Sequence, residues 1–337
     1  MRLLVAATGG TIASLPDPET GAVRPAVSAE DLLTGIPELA KLAELEVVEI
    51  DRVNGWNVTP ATMLSVAKAL SDGLAGDEFE GAIVTGGTDT IEETAFVVDL
   101  LVSSEKPVAF AAAMRTGNEV AADGPRNLVN AARVAGSAEA RGWGALLVMH
   151  DEIHAARSAV KVDSFRPSAF ASPGAGPVGH VTPDRLRIGA APPRFTLEPP
   201  AAFEVEVPVI KTYTGMADDL IERVLEVTDA SGLVLEGTGA GNVPGLAMPG
   251  IAVAVDRGIP VVFATRVATG GVVPIYGGPG GGITIRELGA TGAGALTAAK
   301  ARLLLMAALE SSADADGAIE LFRRGVAILG PGAFGAI

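Results

Sequence analysis

The chain has 337 residues, a length that ordinarily divides into about two domains, and 48% of them are hydrophobic, enough to bury one or two substantial cores. Lys and Arg number 25 against 40 Asp and Glu, a net charge of −15 with no basic stripe for phosphate, so nucleic acid is excluded as a partner. There is no cysteine, which removes disulfides, a thiolate nucleophile and Cys-ligated metal, and no apolar run approaches the roughly 20 residues of a membrane span.

Residues 1–7, Met-Arg-Leu-Leu-Val-Ala-Ala, look like a short leader, but the apolar run is brief and leads straight into a glycine turn. We read it as a buried first strand and expect a cytoplasmic protein. Short apolar runs at 3–7, 45–50, 81–85, 107–112 and 145–149 read as strands buried on both faces. Helical stretches lie between them. Ser28 heads one through about Ile36, Thr59-Pro60 starts another, and Thr90-Ile91-Glu92-Glu93 has the form of a capping box opening a helix to about Val102. This alternation predicts an α/β domain with a mostly parallel sheet over residues 1–182. Five prolines between 183 and 200 predict a linker over 183–207. Strands at 209–212, 232–236 and 260–264, helices at 217–227 and near 249–256, and a glycine-rich loop 277–282 before a long helix 292–310 predict a smaller α/β domain, of flavodoxin-like type, over 208–337.

Ligands of open α/β sheets sit beyond the carboxyl ends of the strands, so the loops there carry the chemistry. The first is Thr8-Gly9-Gly10-Thr11-Ile12-Ala13. It lacks the third glycine of a dinucleotide fingerprint and the Gly-Lys-Ser/Thr of a P-loop, and Pro16 and Pro18 forbid the helix that either needs. The second is Thr85-Gly86-Gly87-Thr88-Asp89-Thr90, opening a helix. Free N–H groups at a helix start favour an anion, and Asp89 supplies a counter-charge for an ammonium, a combination suited to an amino acid. Taken alone, Asp89 and Thr90 could equally cap the helix; two Gly-Gly-Thr loops at two strand ends point to one shared site.

These residues resemble the bacterial-type L-asparaginase family, which includes glutaminase-asparaginases. Thr8 to Ala13 resembles its first signature, and Gly86-Gly87-Thr88-Asp89-Thr90 with Glu92-Glu93-Thr94-Ala95 its second. Ala113-Met114-Arg115, Ala122-Asp123-Gly124-Pro125 with Asn127-Leu128, Lys161, and Gly237-Thr238-Gly239-Ala240-Gly241-Asn242 follow in the family's order. The resemblance implies hydrolysis of a side-chain amide to a carboxylate and ammonia through an acyl-enzyme, without cofactor or metal. It implies Thr11 as the nucleophile and Thr88, Asp89 and Lys161 as a hydroxyl–carboxylate–amine relay in which the lysine takes the proton. Asp89 would also hold the α-ammonium, while backbone groups of Gly10 and Gly87 and the Ala113 carbonyl surround the amide. Asn242 would reach a neighbouring subunit's site, implying a homotetramer built as a dimer of dimers, or a homodimer.

The pattern is broken in three places. The family's lid carries a tyrosine, yet residues 21–23 have none, and the only tyrosines are Tyr213 and Tyr276. The polar pair that holds the α-carboxylate is Gly55-Trp56 here, leaving their amides as the donors. Gly86 stands where histidine is usual. These departures bear on affinity and on the choice between asparagine, glutamine and another amide; a catalytically weak amino-acid-binding homologue is the rival outside enzymes. His150 and His154 suggest a zinc pair, but after a strand i and i+4 lie about 13 Å apart. Arg115 is expected to anchor its own loop, and Arg266 and Tyr276 are candidates for subunit or lid contacts.

Overall fold

The computed structural model describes residues 1–10, 12, 14–17, 20, 22–25 and 28–330. The chain divides into two compact units, Met1–Pro199 and Pro200–Ile337.

The first unit begins with β1 (Arg2–Gly9), β2 (Ser14–Pro16), β3 (Val23–Pro25), α1 (Ala29–Thr34), α2 (Pro37–Leu42), β4 (Glu44–Val53) and α3 (Pro60–Leu74). It continues with β5 (Gly81–Thr85), α4 (Ile91–Leu101), β6 (Val108–Ala111), α5 (Gly124–Ala135), β7 (Ala145–Met149) and β8 (Glu152–Ala155). The short strands β9 (Val160–Lys161), β10 (Phe170–Ala171), β11 (Gly179–Val181) and β12 (Leu186–Ile188) complete it. Its main sheet runs β12-β11-β8-β7-β6-β5-β1-β4. The stretch from β4 to β7 is parallel and the rest antiparallel. Strands β5, β6 and β7 are wholly buried, as continuous apolar runs covered by helices should be. β4 differs from expectation: its residues alternate between exposed and half-buried, because it lies at the sheet edge with only β1 beside it.

Local signals set the helix starts. The Thr59 side chain accepts the Thr62 N–H and Pro60 fills the first turn of α3, whose Met63, Leu64, Val66, Ala67 and Leu70 face inward. Ser28 caps α1 in the same way, but α1 stops at Thr34 and Pro37 starts α2. The capping box expected at Thr90 does not form. Thr90 Oγ1 donates instead to the Gly55 carbonyl at 2.7 Å, tying α4 to another loop. The linker expected from residue 183 is not continuous either. Leu186–Ile188 pairs with β11, and Arg194 donates to the Val102 and Ser104 carbonyls, so the break falls between Pro199 and Pro200. Proline ends helices but is tolerated at a sheet edge, which is where this segment lies.

The second unit contains β13 (Val209–Lys211), α6 (Leu220–Val227), β14 (Leu233–Gly237), α7 (Met248–Asp256) and β15 (Val261–Thr265). After these come α8 (Gly282–Glu287), β16 (Thr291–Gly292), α9 (Ala298–Glu310) and α10 (Ala315–Leu329). Its sheet is parallel and its strands lie in chain order, without the crossing that gives flavodoxin its 2-1-3-4-5 order. Phe263, Leu233, Leu235 and Ile251 centre its core. The glycine-rich loop leads into α8 rather than the long helix, and α10, unforeseen from its composition, buries Ala318, Phe322, Gly325 and Leu329 at helical spacing. Among the described residues no helix is long and apolar enough to cross a membrane.

Candidate active site

At the carboxyl ends of β1, β4 and β5, three loops meet backbone to backbone. Gly10 has φ +88°, and a Cβ there would stand 2.3 Å from the Gly87 nitrogen. A Cβ on Gly87 would stand 2.5 Å from the Gly55 Cα, and one on Gly55 3.1 Å from the Gly87 carbonyl carbon. Only glycine permits approaches this close, so the three positions are mutually dependent. Hydrogen bonds fasten the junction: Thr8 Oγ1 donates to the Thr85 carbonyl at 3.0 Å, beside the Thr90–Gly55 bond. Position 55 is tight as well, since a Cβ there would press on the Gly87 backbone. Gly55–Asn57 forms a 3-10 turn whose first amides have no partner inside the turn, and Trp56 stands 65% exposed.

Lys161 enters from β9. Its Nζ donates to Thr88 Oγ1 at 2.9 Å and to Asp89 Oδ1 at 2.8 Å, joining residues more than 70 positions apart in the chain. The lysine side chain is 19% exposed and the aspartate 45%, so the pair is shielded on the amine side and open on the acid side. The Lys161 backbone N–H donates to Glu92 Oε2 in the first turn of α4. Just beyond, Asp163 accepts the Arg166 and Phe165 N–H groups and pairs with the Arg166 side chain, which holds its carboxyl down to about 2.

A further loop follows β6. Asn127 Nδ2 donates to the Ala112 carbonyl at 2.9 Å, and Asp123 accepts the Met114 and Arg115 N–H groups, pinning residues 112–115 from the start of α5. Arg115 in turn donates to the Ala121 carbonyl, closing its own loop. The sequence marked Asp123 and Asn127 only as matched positions; a buried asparagine on an inward helix face was the signal that they hold a loop.

The arrangement brings one amine into contact with both a hydroxyl and an acid, next in the chain to the glycine junction. Residues 2–194 match the family of the asparaginase N-terminal domain, and residues 206–322 match the glutaminase/asparaginase C-terminal domain. The chain belongs to the asparaginase family. It is 38% identical over 334 residues to a "Probable L-asparaginase" of Deinococcus radiodurans, covering 96% of this chain and 98% of that one. It is 33% identical to "L-asparaginase 2" of Bacillus subtilis, with 92% and 83% covered. The crystal structure of a "Probable Cytoplasmic L-asparaginase" from Campylobacter jejuni superposes with a TM-score of 0.84 at 28% identity, covering 96% and 99%. The fold is therefore that of the asparaginases, a larger mostly parallel N-terminal domain and a smaller parallel C-terminal one, and the protein is an amidohydrolase.

Of the residues expected from the asparaginase pattern, Thr88, Asp89 and Lys161 are in direct contact, and Gly10, Gly55 and Gly87 form the junction beside them. Ala113 ends the buried run that continues β6 and packs near Gly124 and Ile12. Thr11 and Gly21 of the expected lid lie outside the described residues. Asn242 belongs to the second unit, where its Oδ1 accepts the Gly282 N–H at 3.0 Å and links the 238–242 turn to the start of α8. At Gly86, a Cβ would lie 2.8 Å from Thr8 Oγ1, so the position usual for histidine faces a threonine that already has a partner. A cavity of about 10 Å³ lies beneath this loop, lined by Thr8, Val58, Thr90, Ile91 and Phe110 among others, with room for about one water.

Neither His150 nor His154 belongs to a group of three or more potential metal ligands among the described residues. His150 and Asp151 occupy a two-residue turn with positive φ between β7 and β8. His154 is buried; its Nδ1 meets Ser172 Oγ at 3.0 Å, while Nε2 lies 3.2 Å from Glu152 Oε2 without hydrogen-bond alignment. Burial pushes the His154 imidazole below its ordinary value of 6.5, against the opposing pull of Glu152.

Two outcomes are expected. Gly10→Ala forces the loops apart and, from overpacking of about 1–3 kcal/mol plus positive-φ strain, lowers Tm and activity together. Gly76→Ala, which meets nothing within 4 Å, changes neither. Below pH 6.5 the unfolded chain protonates His154 while the folded chain resists, so this group's stability is present at neutral pH and lost as pH falls, by at most ~1.4 kcal/mol per unit. Thermal melts between pH 7.5 and 5.5 should show that slope, and His154→Gln should flatten it; an unchanged slope would assign it elsewhere.

Proposed function

We propose that this asparaginase-family enzyme hydrolyses L-asparagine to L-aspartate and ammonia through a threonyl acyl-enzyme. The observation that carries the reading is the Lys161 amine held against both Thr88 and Asp89 beside the Gly10–Gly87 junction. A threonine hydroxyl is a weak nucleophile and needs a base and donors for the developing oxyanion. In this proposal Thr11 attacks the side-chain amide carbon and its proton passes through Thr88 to Lys161. The tetrahedral intermediate collapses, returning a proton to the departing ammonia and leaving an ester on Thr11, which water then cleaves. Backbone groups of Gly10 and Gly87 with the Ala113 carbonyl surround the amide, and Asp89 takes the α-ammonium on its exposed side. The Gly55 and Trp56 amides take the α-carboxylate in place of a hydroxyl.

The named relatives support asparagine as the substrate, and a "Glutaminase-asparaginase" of Pseudomonas aeruginosa, 31% identical, supports glutamine as the second choice. Assembly as a homotetramer or homodimer, with Asn242 facing a neighbouring site, and a cytoplasmic location belong to the same proposal; the name of the Campylobacter jejuni relative supports the location.

Ammonia release from asparagine, glutamine and other amides tests the substrate: turnover of another amide without asparagine overturns the choice, and aspartate binding without any turnover favours a binding protein. Thr11→Ala should abolish turnover while aspartate still binds by calorimetry. Lys161→Met should lower kcat by the ~10²–10⁴ of a lost general base, and near-normal kcat refutes the relay. Mass spectrometry of the trapped ester should find it on Thr11; an ester on Thr88 reassigns the nucleophile.

A further inference from the structure

Both ends of Lys161 are tied to the same place. Nζ is held by Thr88 and Asp89, immediately before α4, and the backbone N–H is held by Glu92, in the first turn of α4. The reason a carboxylate is needed at the second point lies in the β9–β10 pairing. The Val162 N–H donates to the Ala169 carbonyl at 2.7 Å, so the preceding N–H points to the other side of the ribbon, away from β10. The Lys161 amide is therefore turned toward α4, and Glu92 meets it there. β9 is only two residues long and both are half-buried, so little else in the strand sets its height above the helix.

We propose that Glu92 is a positioning residue for Lys161: by accepting the backbone N–H it sets the starting point of the lysine stem, and so the distance at which Nζ meets Thr88 Oγ1. With the main chain held by Glu92, the side chain spans from α4's first turn back to the residues just before it. Without that hold Lys161 loses the bond that ties its main chain to α4, and misplacement of a reacting group by about 1 Å costs on the order of 10²-fold in rate. The loss is expected chiefly in kcat, because Gly55 is tied to Thr90 and lies, with Trp56, in a separate turn, and Asp89 sits in the β5–α4 loop rather than on the ribbon. The inference rests on Lys161 being the relay amine.

The test compares Glu92→Gln, Glu92→Asp and Glu92→Ala with the parent chain and with Lys161→Met, measuring kcat and KM on L-asparagine, Tm, and the crystal structures. Glutamine keeps an acceptor oxygen at the same reach and should retain most of kcat. Aspartate, one methylene shorter, and alanine should lose about 10–10²-fold in kcat with KM within about twofold, and the Nζ–Oγ1 separation should lengthen beyond hydrogen-bond range. If alanine fails to fold, the aspartate variant carries the comparison. Full kcat in the aspartate or alanine variants, a change confined to KM, equal losses in glutamine and alanine, or an unmoved Nζ in the crystal each overturns the proposal. Lys161→Met with full activity overturns the relay and this inference together; an inactive Lys161→Met beside fully active Glu92 variants overturns the inference alone.

Discussion

Everything at the candidate site depends on three backbones being allowed to touch. A Cβ at Gly10 or Gly87 would fall 2.3–2.5 Å from a neighbouring main-chain atom, inside any van der Waals contact, so the loops after β1, β4 and β5 close only because those positions carry no side chain. The parallel register of β1 with both β4 and β5 brings these loop starts to one end of the sheet, where backbone N–H groups and threonine hydroxyls converge. The junction then dictates chemistry nearby. It leaves little room for a side chain at 55 and makes Thr90 a tie to Gly55 rather than a helix cap.

Around that rigid centre the chemical groups arrive from different elements. Thr88 and Asp89 come from the β5–α4 loop, while Lys161 comes from a short ribbon outside the main sheet. An amine brought in on a two-residue strand is located by what holds it, which is why the Glu92 contact matters more than its place in the first turn of a helix suggests. The antiparallel extension of the sheet through β8, β11 and β12 has its own polar interior. There the buried imidazole of His154 meets Ser172 through Nδ1 and lies close to Glu152 through Nε2.

Much of this was legible in the chain itself. Thr59-Pro60 and Ser28 announce helix starts that form as written, and the apolar runs at 81–85 and 145–149 become fully buried strands. Failures share a cause. Thr90-Ile91-Glu92-Glu93 satisfies the capping-box pattern, yet both polar side chains used here are spent on distant partners, Gly55 and Lys161. Leu45 and Ile50 look like core residues until the sheet order leaves their strand at an edge. The proline-rich stretch after 183 reads as a tether, but Leu186–Ile188 finds an open strand edge at β11.

Residue type and local spacing by themselves determined the α/β alternation, the two Gly-Gly-Thr loops and an acid at the second of them suited to an ammonium; Lys161 and the amide-cleaving chemistry were implied only by the resemblance to the asparaginase family. The first three are properties of a few neighbouring residues, so a window of sequence contains them. Only the tertiary structure decided that Lys161 reaches Thr88 and Asp89, that Glu92 holds its main chain, and that Gly10, Gly55 and Gly87 lock together. Each of these is a distance between segments far apart in the chain, fixed by strand order and register, and no local pattern encodes it.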